Sequence, residues 1–250
     1  PLPEAIFANW LLSVCGQQGV HGSLSFAAKN DLEWDGKQLT GTVSGVPWGG
    51  HVDKLVAVVE STSPMLVVCD VDAASDITRA SNIAGESRDG LVYSSYEPVT
   101  VAPLPPEYGK DILQLGGALL RSAQISGALE ALLGMAADYA NERVQFGKPI
   151  AKFQVIQHQL AVIAEHTAAA RIAAQAAFEN FEKPAAALSV MSAKICASEA
   201  ASFGSSTGHG VHGAIGFTQE YGLHPLTRRL WAWRSEFGTA TYWSKTIGNI

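Results

Sequence analysis

The spacing of apolar residues changes near residue 105 of this 250-residue chain, and the change restricts the folds that the chain can adopt. Before it, short runs rich in Val, Leu and Thr alternate with turn residues, a pattern typical of β-strands. After it, apolar residues recur every three or four positions over long stretches, which is the period of an amphipathic helix. The sequence therefore predicts an α+β fold, with a β-domain followed by a helical domain.

The first part predicts a small antiparallel barrel or sandwich over residues 22–104. Asp35-Gly36 and Asp89-Gly90 are expected to form hairpin turns between strands. A short helix is expected over residues 1–16, and its apolar face is predicted to consist of Ile6, Trp10 and Leu11. The predicted strands are GSLSFAAK, KQLTGTVSGV, KLVAVVES, MLVVCDVDA and LVYSSYEPVTVA.

Residues 105–250 are predicted to form an up-and-down bundle of helices. The first helix is expected to end at Gly147-Lys148-Pro149, and an alanine-rich second helix to run from about Phe153 to Phe181. Pro184 suits a first helical turn, so a third helix is predicted from there to about Phe203. A glycine-rich segment follows, and a final helix is expected to begin near Thr239. The apolar stripe of the first helix is predicted to be Ile125, Leu129, Leu132, Leu133 and Ala136.

Composition and charge exclude several classes of protein. With 47% hydrophobic and 16% charged residues, the chain is expected to be globular. Its net charge is −6 and it has no Lys/Arg-rich run, so neither nucleic acid nor an anionic membrane is an expected partner. No apolar run reaches spanning length, and no secretory leader or membrane anchor is expected. The cysteines are odd in number and far apart, which favours a reducing cytoplasm over a disulfide framework.

The stretch RVQFGKPIAKFQVIQ, residues 143–157, places an arginine, a glycine corner and a glutamine between two long helices. One interpretation is a helix–turn–helix corner with Arg143 in a surface ion pair. The other adds the glycine-rich stretch at 209–222, whose successive N–H groups are expected to form an anion-binding nest. An arginine fork together with a backbone nest would suit a diphosphate.

Two blocks of sequence resemble the acyl-CoA dehydrogenase family. They are DYANERVQFGKPIAKFQVIQHQLA and HGVHGAIGFTQEYGLHPLTRRLW, and their order and spacing also fit. The resemblance covers roughly residues 22–250. It implies a flavoprotein that binds FAD and oxidises acyl-CoA thioesters across Cα–Cβ. It also implies a remnant of an N-terminal helical domain at 1–21, a middle β-domain at 22–104 and a C-terminal four-helix bundle at 105–250.

The resemblance assigns roles to particular residues. Arg143, Phe146 and Gln154 are implied to contact the FAD of a neighbouring subunit. Gly238 is implied to lie by the thioester, and Thr239 by the flavin. The segment implied to pack near the ADP portion of the neighbour's FAD consists of Gly210, Val211, His212, Gly213 and Ala214, although the family usually has glutamine in place of Gly210.

The residue that would remove the α-proton is absent from both places where the family carries it. Phe237 occupies the usual position of the catalytic glutamate, and Gly117 the position used by a minority of members. Glu236 is one residue away, which turns its side chain in another direction, so a solvated carboxylate is favoured over a displaced base. Pro47 stands where a threonine would bond the flavin, and residues 115–118 lack an arginine that usually helps to hold acyl-CoA.

These departures resemble the degenerate chain of heteromeric, α2β2 acyl-CoA dehydrogenases, which occur among bacterial enzymes that degrade steroid side chains. The resemblance implies an acyl-CoA substrate, a second dehydrogenase-like subunit, an electron-transferring flavoprotein as acceptor and a bacterial cytoplasmic location. Two alternatives stay open: a homotetrameric dehydrogenase that uses Glu236, and a structural protein that has lost FAD. His209-x-x-His212 has metal-ligand spacing, but the flanking glycines and the lack of a third ligand argue against zinc.

Overall fold

The computed structural model describes residues 1–183 and 186–249, which form two compact units, Pro1–Gly117 and Ala118–Ile250. The division falls within the second helix of the chain. The predicted helix start at Pro184 lies outside the described residues. Among the described helices, none has the length and apolar character needed to cross a bilayer.

The secondary structure follows the predicted order of strands and then helices. Short 3₁₀ helices cover Gly49–His51, Ile150–Lys152 and Gly213–Phe217. The α-helices are α1 (Leu2–Val14), α2 (Ile112–Glu142), α3 (Gln154–Asn180), α4 (Ala186–His212), α5 (Leu223–Trp233) and α6 (Ala240–Gly248). The strands are β1 (Leu24–Phe26), β2 (Lys29–Asn30), β3 (Glu33–Trp34), β4 (Leu39–Pro47), β5 (Lys54–Val59), β6 (Met65–Asp70), β7 (Asp76–Thr78), β8 (Arg88–Tyr96), β9 (Thr100–Pro103), β10 (Val144–Gln145) and β11 (Lys148–Pro149).

The first unit is a sandwich of two sheets. One sheet has the order β1-β5-β6-β9, and the other has β2-β4-β8-β7 with β3 paired to β4. The sheets are not wholly antiparallel as predicted, because β1 runs parallel to β5. Alternate side chains from both sheets meet in one core that includes Leu39, Val43 and Leu91 from one sheet and Leu55 and Val67 from the other.

The two predicted hairpin turns have different outcomes. Asp35-Gly36 does form the turn between β3 and β4, where Asp35 Oδ1 accepts hydrogen bonds from the N–H groups of Lys37 and Gln38. Asp89-Gly90 was predicted wrongly, because both residues lie inside β8. Asp89 is buried, so its carboxylate bonds to distant chain segments instead of stabilising a local turn.

The lead-in sequence forms helix α1 as predicted, and of its predicted face Leu11 is buried and Trp10 half-buried, but Ile6 was predicted wrongly. Ile6 is 59% exposed, whereas Phe7, Ala8 and Leu11 are buried. The ring of Phe7 packs 5.3 Å from that of Phe26 on β1. Packing against this sheet therefore rotates the helix so that Phe7 replaces Ile6 on the inner side.

In the second unit, helix α3 begins and ends within one residue of its predicted limits, and helix α6 begins at Ala240, next to the predicted Thr239. Thr239 is the N-cap of α6, and its side-chain oxygen accepts a hydrogen bond from the N–H of Tyr242. On α2, four of the five predicted stripe residues are fully buried, and Leu133 is half-buried. Helix α5 was not predicted.

Helix α4 continues nine residues beyond its predicted end at Phe203, so the glycine-rich segment is helical through His212. A Cβ at Gly204 would lie 2.4 Å from Leu129 Cδ2, and one at Gly208 would lie 3.0 Å from Leu132 Cδ2. These glycines therefore allow α4 to pack closely against α2. The predicted end of this helix at Phe203 was wrong because the glycines that follow serve helix packing.

Candidate functional site

The predicted break between α2 and α3 is a β-hairpin with a two-residue turn. Strands β10 and β11 pair antiparallel, and the turn residues Phe146 and Gly147 have φ values of 51° and 79°. Positive φ at both central positions is the geometry of a type I′ turn, which usually carries Asn-Gly. Phe146 is 92% exposed, so its ring lies in solvent, and its backbone has a left-handed conformation that is unfavourable for phenylalanine.

Two predicted cofactor contacts flank this hairpin. Arg143 follows the last turn of α2 and Gln154 is the first residue of α3, and both are exposed. Neither side chain makes a hydrogen bond or an ion pair with any described residue. The surface ion pair that we considered for Arg143 is therefore not formed within the described chain, and its guanidinium group is open to a ligand or a partner.

The segment Gly210–Ala214 occupies the end of α4 and the start of a 3₁₀ helix. Val211 and His212 are buried, while Gly210, Gly213 and Ala214 are exposed. Of these residues only Gly213, with φ of 64°, has a left-handed backbone. Gly210 lies within α4, where N–H groups bond along the helix, so the run of free N–H groups expected of a nest does not form there.

One apolar cluster brings the hairpin and this segment to the same end of the bundle. Ala136 and Ala140 of α2 pack with Val211 of α4, and Ile150 and Ile156 pack against them. The cluster lies directly beside the hairpin in sequence. The structure thus groups Arg143, Phe146 and Gln154 with Gly210–Ala214.

Two buried polar side-chain atoms at this end lack hydrogen-bond partners among the described residues. His212 Nδ1 lies 2.7 Å from Gly208 O, and its Nε2 lies 3.1 Å from the Tyr221 hydroxyl. His209 Nε2 is 2.9 Å from Thr227 Oγ1, but its Nδ1 is buried without a hydrogen-bond partner, as is Gln159 Oε1. Within the described residues no group of three metal-binding side chains occurs, and these histidines bond to neutral oxygens.

Gly238 and Thr239 lie elsewhere, in the corner that joins α5 to α6. We call residues Arg234–Thr239 the α5–α6 corner. Phe237 and Gly238 have φ values of 53° and 98°, which reverse the chain. Trp243 Nε1 donates a 3.0 Å hydrogen bond to Phe237 O. A Cβ on Gly238 would lie 2.5 Å from that nitrogen, so this position requires glycine.

Glu236, the considered displaced base, is held in an ion pair. Arg121 Nε donates a 2.7 Å hydrogen bond to Glu236 Oε2, and the arginine side chain is only 1% exposed against 16% for the glutamate. Arg121 Cζ also lies 5.4 Å from the ring centre of Phe237. The carboxylate therefore compensates a buried cation and is not the solvated group that the sequence predicted.

A second buried cation lies behind the corner. Lys194 on α4 donates hydrogen bonds of 2.8 Å to Arg234 O, 2.9 Å to Gly238 O and 3.0 Å to Ser198 Oγ. Burial lowers the pKa of Lys194 to about 7, nearby Glu236 acts to raise it, and Arg121 and Arg234 lower it further.

The two groups of predicted ligand contacts are separated along α4. Lys194 beside the corner and Gly210 at the hairpin end are 16 positions apart, which is roughly 24 Å along a helix. Gly117, the alternative base position, is buried in α2. Within the second unit, the structure thus brings one set of predicted residues to the hairpin end and the other to the corner.

In the first unit, the segment around Pro47 is bound to its own β-sandwich. Ser25 Oγ donates a hydrogen bond of 2.5 Å to Pro47 O, and Gly50 N–H donates one of 2.7 Å to Asp89 Oδ2. Trp48 has φ of 60° and packs against the sandwich core. The polar groups of this loop that are named here thus bond to atoms of its own β-sandwich.

The sequence interpretation missed Arg121 and Lys194. Arg121 lies four residues before Ile125, on the buried stripe of α2, and Lys194 lies among the buried residues Val190, Ala193 and Ala197 of α4. A charge on an apolar helical stripe requires a buried partner, and that is the signal that could have identified both residues. Their partners are distant in sequence and could not have been named.

The family model described as "Acyl-CoA dehydrogenase, C-terminal domain" matches residues 116–248, just over half of the chain. The chain belongs to the acyl-CoA dehydrogenase family of oxidoreductases. The match includes the hairpin, the end of α4 and the α5–α6 corner.

Two relatives in this group are similar over different lengths. The chain is 38% identical over 128 residues to acyl-CoA dehydrogenase IpdE2 of Mycobacterium tuberculosis, which covers 51% of this chain and 38% of that protein. It is 39% identical over 230 residues to acryloyl-CoA reductase (NADH) of Anaerotignum propionicum, covering 83% of this chain and 56% of that protein. The chain thus spans between 38% and 56% of these relatives' lengths.

A solved structure supports the fold over the whole chain. A chain of the ChsE4–ChsE5 complex from Mycobacterium tuberculosis is similar with a TM-score of 0.88 and 23% identity. The similarity covers 100% of this chain and 75% of that chain. It confirms the predicted acyl-CoA dehydrogenase fold, with a β-domain followed by a helical bundle.

Proposed function

We propose that this chain is one subunit of an FAD-dependent acyl-CoA dehydrogenase and that it completes the FAD site of a different, catalytic chain. The observation that carries the proposal is a contrast within the chain. At the hairpin, Arg143 is exposed and without a partner among the described residues. At the corner, the positions expected for the base hold Phe237 and, in α2, Gly117.

The hairpin end fits the diphosphate part of FAD. A guanidinium group binds phosphate oxygens through paired N–H donors, and Arg143 has no competing internal acceptor among the described residues. Gln154 opens a helix of 27 residues, whose first turn presents backbone N–H groups. The exposed backbone at Gly213 and Ala214, at the same end, permits close approach.

The loop around Pro47 fits an isoalloxazine ring poorly. Proline has neither a side-chain hydroxyl nor an N–H to donate, and its carbonyl oxygen already accepts from Ser25. Trp48 packs on the core of its own sandwich. This supports a chain that contributes to a flavin bound mainly by its partner.

The reaction requires a carboxylate that takes the α-proton as H⁺, while FAD, when bound, accepts hydride from Cβ. Glu236 is a poor candidate because its carboxylate pairs with the buried Arg121, and protonation of the glutamate would remove the negative charge from that pair. The partner chain therefore supplies the base. This argues against the self-sufficient homotetramer, and the open Arg143 argues against a purely structural protein.

The assembly that we propose is an α2β2 heterotetramer in a bacterial cytoplasm. The ChsE4–ChsE5 structure supports it, since that structure is a complex of two differently named proteins and matches this whole chain. By family resemblance, the substrate is an acyl-CoA thioester, with a steroid side chain as one acyl group to test. An electron-transferring flavoprotein is the proposed acceptor.

The test is the flavin content of the chain with and without its natural partner. The tagged chain would be purified alone and, separately, as the complex captured from its source organism. We expect little flavin absorbance and no acyl-CoA oxidation with an artificial acceptor for the chain alone, even with excess FAD. The captured complex should contain stoichiometric FAD and oxidise acyl-CoA. Stoichiometric FAD or turnover in the homo-oligomer would contradict the proposal.

A further inference from the structure

Lys194 is the only lysine among the described residues whose side chain is fully buried, with 0% exposure. It projects from α4 toward the α5–α6 corner. An ammonium group has three N–H donors, and here each has an acceptor: Arg234 O, Gly238 O and Ser198 Oγ. Ser198 Oγ in turn donates to Arg234 O at 3.0 Å. No donor of this lysine is left for a ligand, so it is not a base or a substrate contact.

The acceptors of Lys194 lie on the two sides of the chain reversal. Arg234 directly follows α5, and Gly238 directly precedes the N-cap of α6. One cation thus joins both ends of the corner to α4. Trp243 Nε1 donates to Phe237 O, so the adjacent carbonyl groups of Phe237 and Gly238 are bound by two different side chains. Because Phe237 and Gly238 both have left-handed backbones, their conformation depends on such external contacts.

A lysine that only filled space at this position would be unfavourable. Burial of an ammonium group is costly, and Arg121 and Arg234 add like charge around it, with Glu236 as the opposing charge. An apolar side chain of similar length would fill the same volume without that cost. What the ammonium group adds is the pair of hydrogen bonds to the two carbonyl groups of the corner.

We infer that Lys194 is a positioning residue: its buried ammonium group sets the conformation of the α5–α6 corner and thereby the places of Gly238 and Thr239. The importance of those places for flavin and thioester rests on the proposed function. The effect on the corner itself does not, so the two can be tested separately.

The test compares three variants. Lys194→Met keeps the length of the side chain and removes all donors, and Lys194→Gln restores two N–H donors without charge. Lys245→Met makes the first substitution at an exposed lysine of α6 and serves as the control. Amide hydrogen exchange of the chain alone would be measured at about pH 6, below the lowered pKa of about 7, so that Lys194 is an ammonium group. It would report on the corner through Tyr242 and Trp243, whose N–H groups donate to Thr239. Amides in the middle of α3 provide the internal reference.

We expect exchange at Tyr242 and Trp243 to become about 10- to 100-fold faster in Lys194→Met, as expected for loss of hydrogen bonds from a charged donor. Lys194→Gln should recover part of the protection, and Lys245→Met should match the wild type. In the captured complex, turnover should fall in the same order, by up to about 10²-fold for misplaced groups. If Lys194→Met does not fold, the comparison of Lys194→Gln with Lys245→Met carries the test.

Unchanged exchange at the corner would overturn the inference, and so would equal acceleration in α3, since the lysine would then only stabilise the bundle. A loosened corner with unchanged turnover in the complex would overturn its role in positioning the site. A wild-type complex without FAD would contradict the proposed function instead. In that case the exchange data alone would decide whether Lys194 positions the corner.

Discussion

At the scale of single residues, two arginines of the bundle have opposite environments. Arg121 is buried and paired with Glu236, whereas Arg143 is exposed and has no partner among the described residues. A buried charge must be compensated within the protein, while an exposed and unpaired guanidinium group is available to an anion. The first therefore belongs to the architecture of the corner and the second to the proposed diphosphate contact.

Replacement of Arg143 by alanine is predicted to weaken FAD binding in the captured complex by about 10- to 100-fold, since one charge-assisted contact of roughly 1.5–3 kcal/mol is lost. Flavin retention during dilution or dialysis would measure the change, with circular dichroism as a check on folding. Arg171→Ala is the matched control, because Arg171 is an exposed arginine of α3 whose ion pair is with Glu130. Equal flavin retention in the two variants would leave Arg143 as a surface charge.

Glu236→Gln is predicted to leave turnover of the complex nearly unchanged. Removal of a true general base would instead lower turnover by roughly 10²- to 10⁴-fold. The main effect of Glu236→Gln should be on stability, because Arg121 would lose its anionic partner, with an expected cost of about 3–5 kcal/mol for a broken buried pair. Steady-state kinetics and urea unfolding of the same samples would separate the two effects. A full loss of turnover with unchanged FAD content would make Glu236 the base after all.

At the scale of elements, the hairpin keeps an unfavourable conformation at its tip. Phe146 stands at a φ of 51°, where asparagine would be favoured in a type I′ turn. Phe146→Asn is predicted to raise the free energy of unfolding by about 1 kcal/mol, because a strained left-handed residue is relieved. The same change should weaken flavin retention in the complex if the exposed ring contacts the partner's FAD.

Urea unfolding of the chain alone would measure the stability change, and Gln145→Asn, in the adjacent strand, is the control for the substitution itself. Lower stability of Phe146→Asn would show that the phenyl ring contributes more to the folded chain than its exposure indicates.

Two glycines of α4 form a second pair for comparison. Gly210→Ala would place a Cβ 3.6 Å from Gln159 Nε2, an ordinary contact, whereas in Gly204→Ala the Cβ would lie 2.4 Å from Leu129 Cδ2. Alanine favours a helix over glycine by about 1 kcal/mol, and overpacking costs about 1–3 kcal/mol. Gly210→Ala is therefore predicted to raise the free energy of unfolding. Gly204→Ala is predicted to have a lower free energy of unfolding than Gly210→Ala. Thermal unfolding of the isolated chain would rank the two, and the reverse order would refute the packing role of Gly204.

At the scale of the whole molecule, the pH dependence of stability should reflect Lys194. Its pKa is lowered to about 7 in the folded chain, against an ordinary value of 10.5. Between these values the unfolded chain holds a proton that the folded chain releases as Lys194 changes from its three-donor ammonium form to a neutral amine, so stability rises with pH. The hydrogen bonds of the ammonium form to the corner therefore belong to solutions below about pH 7. The expected slope is at most about 1.4 kcal/mol per pH unit.

A window from about pH 7 to 8.5 isolates this contribution. Burial lowers the pKa of His209 from 6.5, so this histidine changes the free energy of unfolding mainly below that pH. Burial raises the pKa of Cys196 from 9.0, so this cysteine changes the free energy of unfolding mainly above that pH. In the first unit, burial raises the pKa of Cys69 from 9.0 to about 12, so it lowers stability only in alkaline solution. Urea unfolding followed by helical circular dichroism should show the slope in the wild type and not in Lys194→Met. Equal slopes in the two proteins would contradict the lowered pKa.

The sequence by itself determined the features that depend on nearby residues. The change of period at residue 105 indicates strands followed by helices, and the alanine-rich run places α3 within one residue at each end. Asp35-Gly36 makes its turn through its own backbone neighbours, and Thr239 caps α6 through a residue three positions ahead. Two blocks of residues were enough to indicate the family, since each block is contiguous in the sequence. Each of these signals is complete within a few residues.

Only the tertiary structure decided which glycines break helices, which aspartate forms a turn and which charges are paired. Gly204 lies within α4, where its lack of a side chain lets Leu129 of another helix lie beside it, and the buried Asp89 accepts a hydrogen bond from the loop at Gly50. Arg121 meets Glu236 across 115 positions, and Lys194 meets Gly238 across 44. Such contacts are set by the packing of whole helices and sheets, and the free energy of a buried charge or a close approach depends on partners that no local pattern identifies.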